Sequence, residues 1–408
     1  MKDMNTFEEL KLTEHLANAI KKLGFTEPTQ IQAESIPPIM EGKDVIGESA
    51  TGSGKTLAFG CGIIEKTVPG KGLQALVLTP TRELAEQVKD SLHEISFGKK
   101  LRIVAVYGGV SINPQIDTMH GADVVVGTPG RLLDHLERRT IDLSHVKILV
   151  LDEADRMLDM GFIDDVELII KQCSKERLTM FFSATIAPRI RELADRYMHN
   201  PVEVFATKMV DPTKLTQVYY DVPRNMKMSL LIHLLEHEEA GLVMVFCNTR
   251  RITDFVVKNL RANKIDAIAI HGGLTQNKRT KTISMFNNGK VNVLVCTDVA
   301  ARGLHIDNVS HVYNYDIPGD GTDYVHRIGR TARAGEEGKV INLLCEFDHE
   351  NFNRVIMENR DLKIPRVERP HVKMVAARRV EDSRRDDPRM GNSRRGPPRR
   401  MSAPARRW

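Results

Sequence analysis

Two short runs hold residues whose types and spacing suit chemistry. The first is GESATGSGKT (47–56). Glycines in such a run let backbone N–H groups converge on phosphate oxygens. Lys55 would reach the β and γ phosphates, and Thr56 would offer its hydroxyl to Mg2+. Read alone, the run is also an ordinary Gly/Ser turn ahead of a helix, and strict spacing asks for glycine where Ser49 stands. The second run is ILVLDEADRM (148–157). Ile148 to Leu151 read as a buried strand, and then Asp152, Glu153 and Asp155 arrive together. A buried unpaired carboxylate is costly and crowded carboxylates repel one another, so this cluster needs cations. A phosphate loop in turn needs a metal carboxylate at the end of another strand. The two runs supply the halves of one site: Asp152 would bind Mg2+, and Glu153 would orient or deprotonate an attacking water. That chemistry is hydrolysis of a nucleoside triphosphate.

Placing these residues takes strands that end beside one another. Apolar strands are expected at 44–47, 74–79, 102–107, 123–127, 148–152 and 179–184. Helical patterns follow several of them, such as TRELAEQVKDSLHEI and RLLDHLERR. Nearly continuous apolar strands alternating with helices predict α/β architecture, a parallel sheet covered on both faces. The segment ATKMVDPTK (206–214) breaks the pattern and reads as a linker. Alternation then resumes, with strands at 242–247, 266–271, 292–297, 311–316 and 339–344. The expectation is two tandem domains, residues 1–207 and 217–365, joined by a linker at 208–216.

The composition sets the outer limits. With 408 residues, 41% hydrophobic and 28% charged, the chain suits two globular domains rather than one. It contains no apolar run of transmembrane length, and MKDMNTFEEL lacks the apolar core of a signal peptide. The five cysteines are scattered without a CxxC pair, which argues against a zinc site or disulfide framework and fits a reducing cytoplasm. The net charge of +5 is unevenly spread. From Ala376 to Trp408, eleven arginines against four acids give +7, so the other 375 residues carry −2. Residues 366–408, rich in Arg, Pro, Gly and Ser, read as a disordered basic tail.

The spelling Asp152-Glu153-Ala154-Asp155 beside this phosphate loop resembles the DEAD-box family of ATP-dependent RNA helicases. Further motifs follow in the family's order. GFTEPTQIQ (24–32) resembles its Q motif, with Phe7 at the spacing of the upstream aromatic. PTRELA (80–85), Gly108-Gly109, TPGR (128–131) and SAT (183–185) complete the first domain. VFCNTR (245–250), HGGLTQNKR (271–279), TDVAARG (297–303) and HRIGRTARAG (326–335) run through the second. The resemblance covers about residues 7 to 345. It implies two RecA-like domains, with ATP between them and RNA, single-stranded or duplex, crossing both without sequence preference.

The resemblance also assigns residues. Nucleotide contacts would be Phe7, Phe25 and Gln32, then Ala50, Thr51, Gly52, Ser53, Gly54, Lys55 and Thr56, with Asp155, Gly303 and His305. Gln32 would read adenine, accepting from N6 and donating to N7. Lys55, Asp152 and Glu153 would act with Arg330 and Arg333, arginine fingers from the opposing domain. Backbone contacts to RNA would come from Thr81, Arg82, Gly109, Thr128 and Arg131, and from Arg250, Gln276, Arg279 and Thr297. Thr81 and Thr128 each precede a helix, so plain helix caps are the competing assignment. Ser183, Thr185 and His326 would couple hydrolysis to RNA, the first two through Asp155.

Two positions depart from the family's pattern. His305 stands where relatives carry a ribose-contacting aspartate; it either takes over with a ring nitrogen or is a spacer. Gly273 stands where many relatives carry aspartate. The implied function is that of an RNA-dependent ATPase and non-processive RNA helicase, monomeric and cytoplasmic, its tail adding RNA affinity. An ATP-gated RNA clamp or scaffold, or a tail-driven RNA chaperone, is the alternative.

Overall fold

The computed structural model describes residues 6–10, 12–49, 52–206, 215–301, 306, 309–332, 337–360 and 362–376. Two parallel sheets organise them. The first holds β1 (Val45–Glu48), β2 (Ala75–Leu78), β3 (Ile103–Val106), β4 (Val124–Gly127), β5 (Ile148–Asp152), β6 (Leu178–Ser183) and β7 (Val202–Phe205). Their order across the sheet is β3-β4-β2-β5-β6-β1-β7. The second holds β8 (Leu215–Asp221), β9 (Leu242–Phe246), β10 (Ala267–Ile270), β11 (Val293–Cys296), β12 (Val309–Asn314) and β13 (Gly338–Leu344), ordered β10-β11-β9-β12-β13-β8.

The apolar strands are continuous because both faces of each sheet are covered. In β5, Ile148 and Val150 enter one core while Leu149 and Leu151 enter the other. Helices such as Lys55–Lys66 and Arg82–Ile95 lie over the first of these faces. This is the expected architecture, with each anticipated strand within two residues of its expected ends. Two strands were not anticipated, β7 and β8. Both are sheet edges with partly exposed, polar-interrupted sequences, VEVF and LTQVYYD. Strand β8 opens at Leu215, inside the segment expected to be linker.

The second unit also continues past 365. Tyr219 N–H donates to the Pro365 carbonyl at 3.0 Å, and Val367 N–H to that of Tyr219 at 2.9 Å. Val372 is buried against the second sheet's core, and Val375 N–H donates to Ser229 Oγ at 3.0 Å. Residues 366–376, assigned above to the tail, are thus docked chain. Residues 377–408 and 207–214 lie outside the described residues. Among the described residues no helix is long and apolar enough to cross a membrane.

Ligands of parallel sheets gather at the strands' C-terminal ends. The strand order sorts the motifs there by chemistry. β5, β6 and β1 are neighbours, so the acidic cluster, SAT and the phosphate loop meet. β3, β4 and β2 are neighbours too, which collects Gly109, Thr128 and Thr81. In the second sheet β10, β11 and β9 lie together, collecting Gly272-Gly273, Thr297 and Arg250.

Candidate active site

The phosphate loop leaves β1 and turns into the helix Lys55–Lys66 through Gly54, at φ 90°. A side chain there would collide with Gln32, whose Nε2 lies 2.1 Å from the ideal Cβ position. Gly54 is therefore fixed by close approach as well as by its left-handed backbone. Gln32 Nε2 donates to the Gly54 carbonyl at 3.1 Å, and its Oε1 accepts from Thr29 N–H at 3.0 Å, closing a capping box. Thr29 Oγ1 donates to the Ser53 carbonyl at 2.7 Å. The Q-motif segment is thus stitched to the phosphate loop. Phe7 is buried in the first domain's core, and Phe25 is the exposed aromatic of this region at 48%. Ser49, in place of glycine, shares a 2.8 Å hydrogen bond with Ser53 across the loop. Lys55 Nζ donates to the Ser49 carbonyl at 2.8 Å. Ala50 and Thr51 lie outside the described residues.

Asp152 ends β5, buried, and burial pushes its carboxyl up to about 7, against the opposing pull of Lys55. Glu153 and Asp155 add to the rise by repulsion. Asp152 Oδ1 is buried without a hydrogen-bond partner, the condition of an oxygen kept for a cation. Among the described residues no group of three or more His, Cys, Asp or Glu forms a metal cage. That suits Mg2+, which takes one or two protein oxygens and leaves the rest to water and phosphates. Glu153 stands at φ 55°, and its carboxylate pairs with Arg156 Nη1 at 2.7 Å.

Asp155 faces the end of β6. Its Oδ2 accepts from Ala184 N–H and Thr185 N–H, each at 3.1 Å, and from Thr185 Oγ1 at 3.4 Å. Its own N–H donates to Ser183 Oγ at 3.0 Å. The SAT segment therefore clasps the acidic loop from both sides.

The expected RNA set divides on inspection. Thr81 Oγ1 accepts from Leu84 N–H at 3.3 Å and caps the helix Arg82–Ile95. Thr128 makes no side-chain cap bond, so its hydroxyl is not committed to the helix it precedes. The Arg82 guanidinium fills the space over Gly109, at φ 80°, where an added Cβ would fall 2.0 Å from it. Arg131 Nη2 donates to the neighbouring Val110 carbonyl at 2.8 Å, so Arg82, Gly109 and Arg131 gather on one edge. Arg250 lies against Gly272 and Gly273. Thr297 directly follows β11 and is buried. Gln276 begins the helix Gln276–Asn287, and its side chain is not described. Arg279 joins the two units: its Nε lies 2.8 Å from Glu83 Oε1, and its Nη2 donates to the Ala300 carbonyl at 2.9 Å.

Arg330 is buried, and His326 is half-buried on the helix Gly321–Ile328. Gly303, His305 and Arg333 lie outside the described residues. Sequence reasoning passed over Arg327. It is 1% exposed and grips Asp298 with Nε and Nη2, both at 2.6 Å. It also donates to Asn314 Oδ1, Asn248 Oδ1 and the Asp316 carbonyl, tying the ends of β9, β11 and β12 together. Its position three residues before Arg330 was the available signal.

Residues 29–193 match the DEAD/DEAH box helicase family and 226–335 the helicase conserved C-terminal domain. The ATP-dependent RNA helicase CshA of Listeria monocytogenes is 48% identical over 345 residues, 84% of this chain and 66% of that protein. The DEAD-box ATP-dependent RNA helicase CshA of Geobacillus kaustophilus is 47% identical over 339 residues, 82% of this chain and 72% of that one. The chain spans about two thirds to three quarters of the length of the curated relatives it matches. Among solved structures, S. cerevisiae Dbp5 bound to RNA and ADP BeF3 superposes with TM-score 0.81 at 30% identity, over 89% of this chain and 96% of that one. A DEAD box protein from Methanococcus jannaschii gives TM-score 0.56 at 40% identity, over 89% and 99%. With both domains matched and relatives of this identity over most of its length, the chain belongs to the DEAD-box family of ATP-dependent RNA helicases.

Proposed function

We propose that this chain is an RNA-dependent ATPase and non-processive RNA helicase that opens short duplexes by ATP-driven closure of its two domains. The observation that carries this is the Asp155 clasp. One carboxylate of the ATP site accepts three hydrogen bonds from Ala184 and Thr185. Movement at the acidic loop therefore moves the end of β6 with it.

The chain's own residues divide the work. Gln32, already bonded to the phosphate loop, would read adenine with its amide and report occupancy through Gly54. Lys55 would exchange the Ser49 carbonyl for the β and γ phosphates. Asp152 and Thr56 would hold Mg2+, which neutralises charge on those phosphates. Glu153 would hold the attacking water. Arg330 and Arg333 would stabilise the transition-state charge from the second domain, an effect worth roughly 10³–10⁵ in rate. Hydrolysis would then require both domains in place.

RNA would lie along the edges that carry Arg82, Gly109, Thr128 and Arg131 in the first domain and Arg250 and Thr297 in the second. Hydroxyls, arginines and glycine N–H groups suit phosphate and sugar, so binding would ignore sequence. The Arg279–Glu83 pair sits where those edges meet and favours the closed arrangement.

Multiple-turnover ATPase with poly-RNA, measured beside strand displacement of a short duplex, tests the proposal. Glu153→Gln should hold ATP and stay on RNA. Fast turnover by that variant would refute the role of Glu153. ATP-dependent RNA retention without displacement or turnover by the unaltered protein would mark a clamp instead.

A further inference from the structure

Arg156 directly follows the acidic cluster, and the steps above give it no task. It lies on the helix Ala154–Asp159, three residues beyond Glu153, which aims its guanidinium back at that carboxylate. Nη1 lies 2.7 Å from Glu153 Oε2, with the two side chains 2% and 7% exposed.

This arrangement is a poor source of stability. Desolvating two charges cancels most of their attraction unless the remaining N–H groups find acceptors. Arg156 Nη2 is buried and has no hydrogen-bond partner. Glu153 adds the left-handed backbone, φ 55° and ψ 52°, a strained conformation for a side-chain-bearing residue. Strain and an unmet donor at one residue pair mark a geometry retained for work rather than for folding.

We infer that Arg156 is a positioning residue, its guanidinium fixing the Glu153 carboxylate in the orientation that holds the attacking water. This rests on the reading of Glu153 given above. A glutamate side chain has three rotatable bonds, and a carboxylate among Asp152, Asp155 and incoming phosphates is pushed from several sides. One cation on one oxygen restricts it while leaving the other oxygen for water. Arg156 acts through Glu153.

The test uses the intact chain and RNA-stimulated ATPase. Arg156→Met should lower kcat by about 10–100-fold, the usual effect of misplacing a reacting group by about 1 Å. KM for ATP, and affinity for single-stranded RNA with a non-hydrolysable ATP analogue, should stay within about two-fold of the unaltered protein. Arg156→Lys should recover part of kcat. Adding Arg156→Met to Glu153→Gln should slow turnover no further, because the two act as one unit. If the methionine variant does not fold, Arg156→Gln, which keeps a polar end in that pocket, carries the same expectation.

Unchanged or raised kcat in the charge-removing variants overturns the inference, as does an additive loss in the double variant. If Glu153→Gln is inactive while Arg156→Met is fully active, only this inference falls. If Glu153→Gln turns over normally, the assignment of Glu153 itself falls.

Discussion

Removing the charge at Asp152 should stabilise the protein in the absence of metal, increasingly as pH rises from about 4 to about 7. Burial raises this carboxyl from the ordinary 3.8 to about 7 in the folded chain. Between those values the folded state holds a proton that the unfolded state has released. The group's contribution to stability is therefore fully present below about pH 4 and is lost as pH rises through about 7. At roughly 1.4 kcal/mol per pH unit, the ionised carboxylate costs the fold up to ~4 kcal/mol by pH 8. Asp152→Asn removes that cost and keeps an oxygen to accept the Glu153 N–H. In EDTA without nucleotide, the variant should exceed the unaltered protein by about 1.5 kcal/mol at pH 5 and by ~4 kcal/mol at pH 8, a gain of ~2.5 kcal/mol between the two. In a domain of this size that is on the order of 5–10 °C in Tm. Urea or thermal unfolding at the two pH values measures it. Adding Mg2+ with a non-hydrolysable ATP analogue should reverse the order, because only the carboxylate gains the metal. An equal difference at both pH values, or a less stable variant at pH 8, would refute the argument that the site stores an uncompensated charge.

Other expectations follow from single contacts. Thr81→Val should lower the first domain's stability by about 1 kcal/mol through loss of its cap, whereas Thr128→Val should weaken RNA binding with Tm unchanged; melting curves and RNA titrations separate them. Arg279→Ala leaves Glu83 with its inter-domain cation removed and should weaken RNA stimulation of the ATPase several-fold, with partial recovery on exchanging the charges (Glu83→Arg with Arg279→Glu). Truncation after Ala376 should weaken RNA binding at low salt and spare basal ATPase, through loss of sequence-independent phosphate contacts. Truncation after Arg369 should also lower the second domain's Tm, because it removes buried Val372; equal melting of the two truncations would refute the docked role of that segment.

The chemistry was legible in order and spacing. Glycines before Lys55 and Thr56, and carboxylates at the end of an apolar strand, are local patterns. Residues next to one another in sequence stay close in space, so such patterns survive without knowledge of the fold. Two of the edge strands, β7 and β8, were less legible. VEVF and LTQVYYD are interrupted by polar residues, unlike IVAV and AIAI at the opposite edges of the two sheets, so neither carries the continuous apolar run that marked the other strands. The docked segment 366–376 failed for a similar reason: scattered valines seat on a surface built elsewhere, and no periodicity announces it.

By itself the sequence determined the two parallel sheets, the phosphate loop and the acidic cluster at the end of β5. Each of these depends on neighbours a few residues apart. The tertiary structure decided what depends on strand order. It set β5, β6 and β1 side by side, and so closed the Asp155 clasp on Ala184 and Thr185. It also set the Gln32 amide on the Gly54 carbonyl, Arg327 among three strand ends, and Arg279 on Glu83 of the other domain. These pairings span tens to hundreds of residues, and their geometry is fixed by which strands pack together, a long-range outcome that no local spacing encodes.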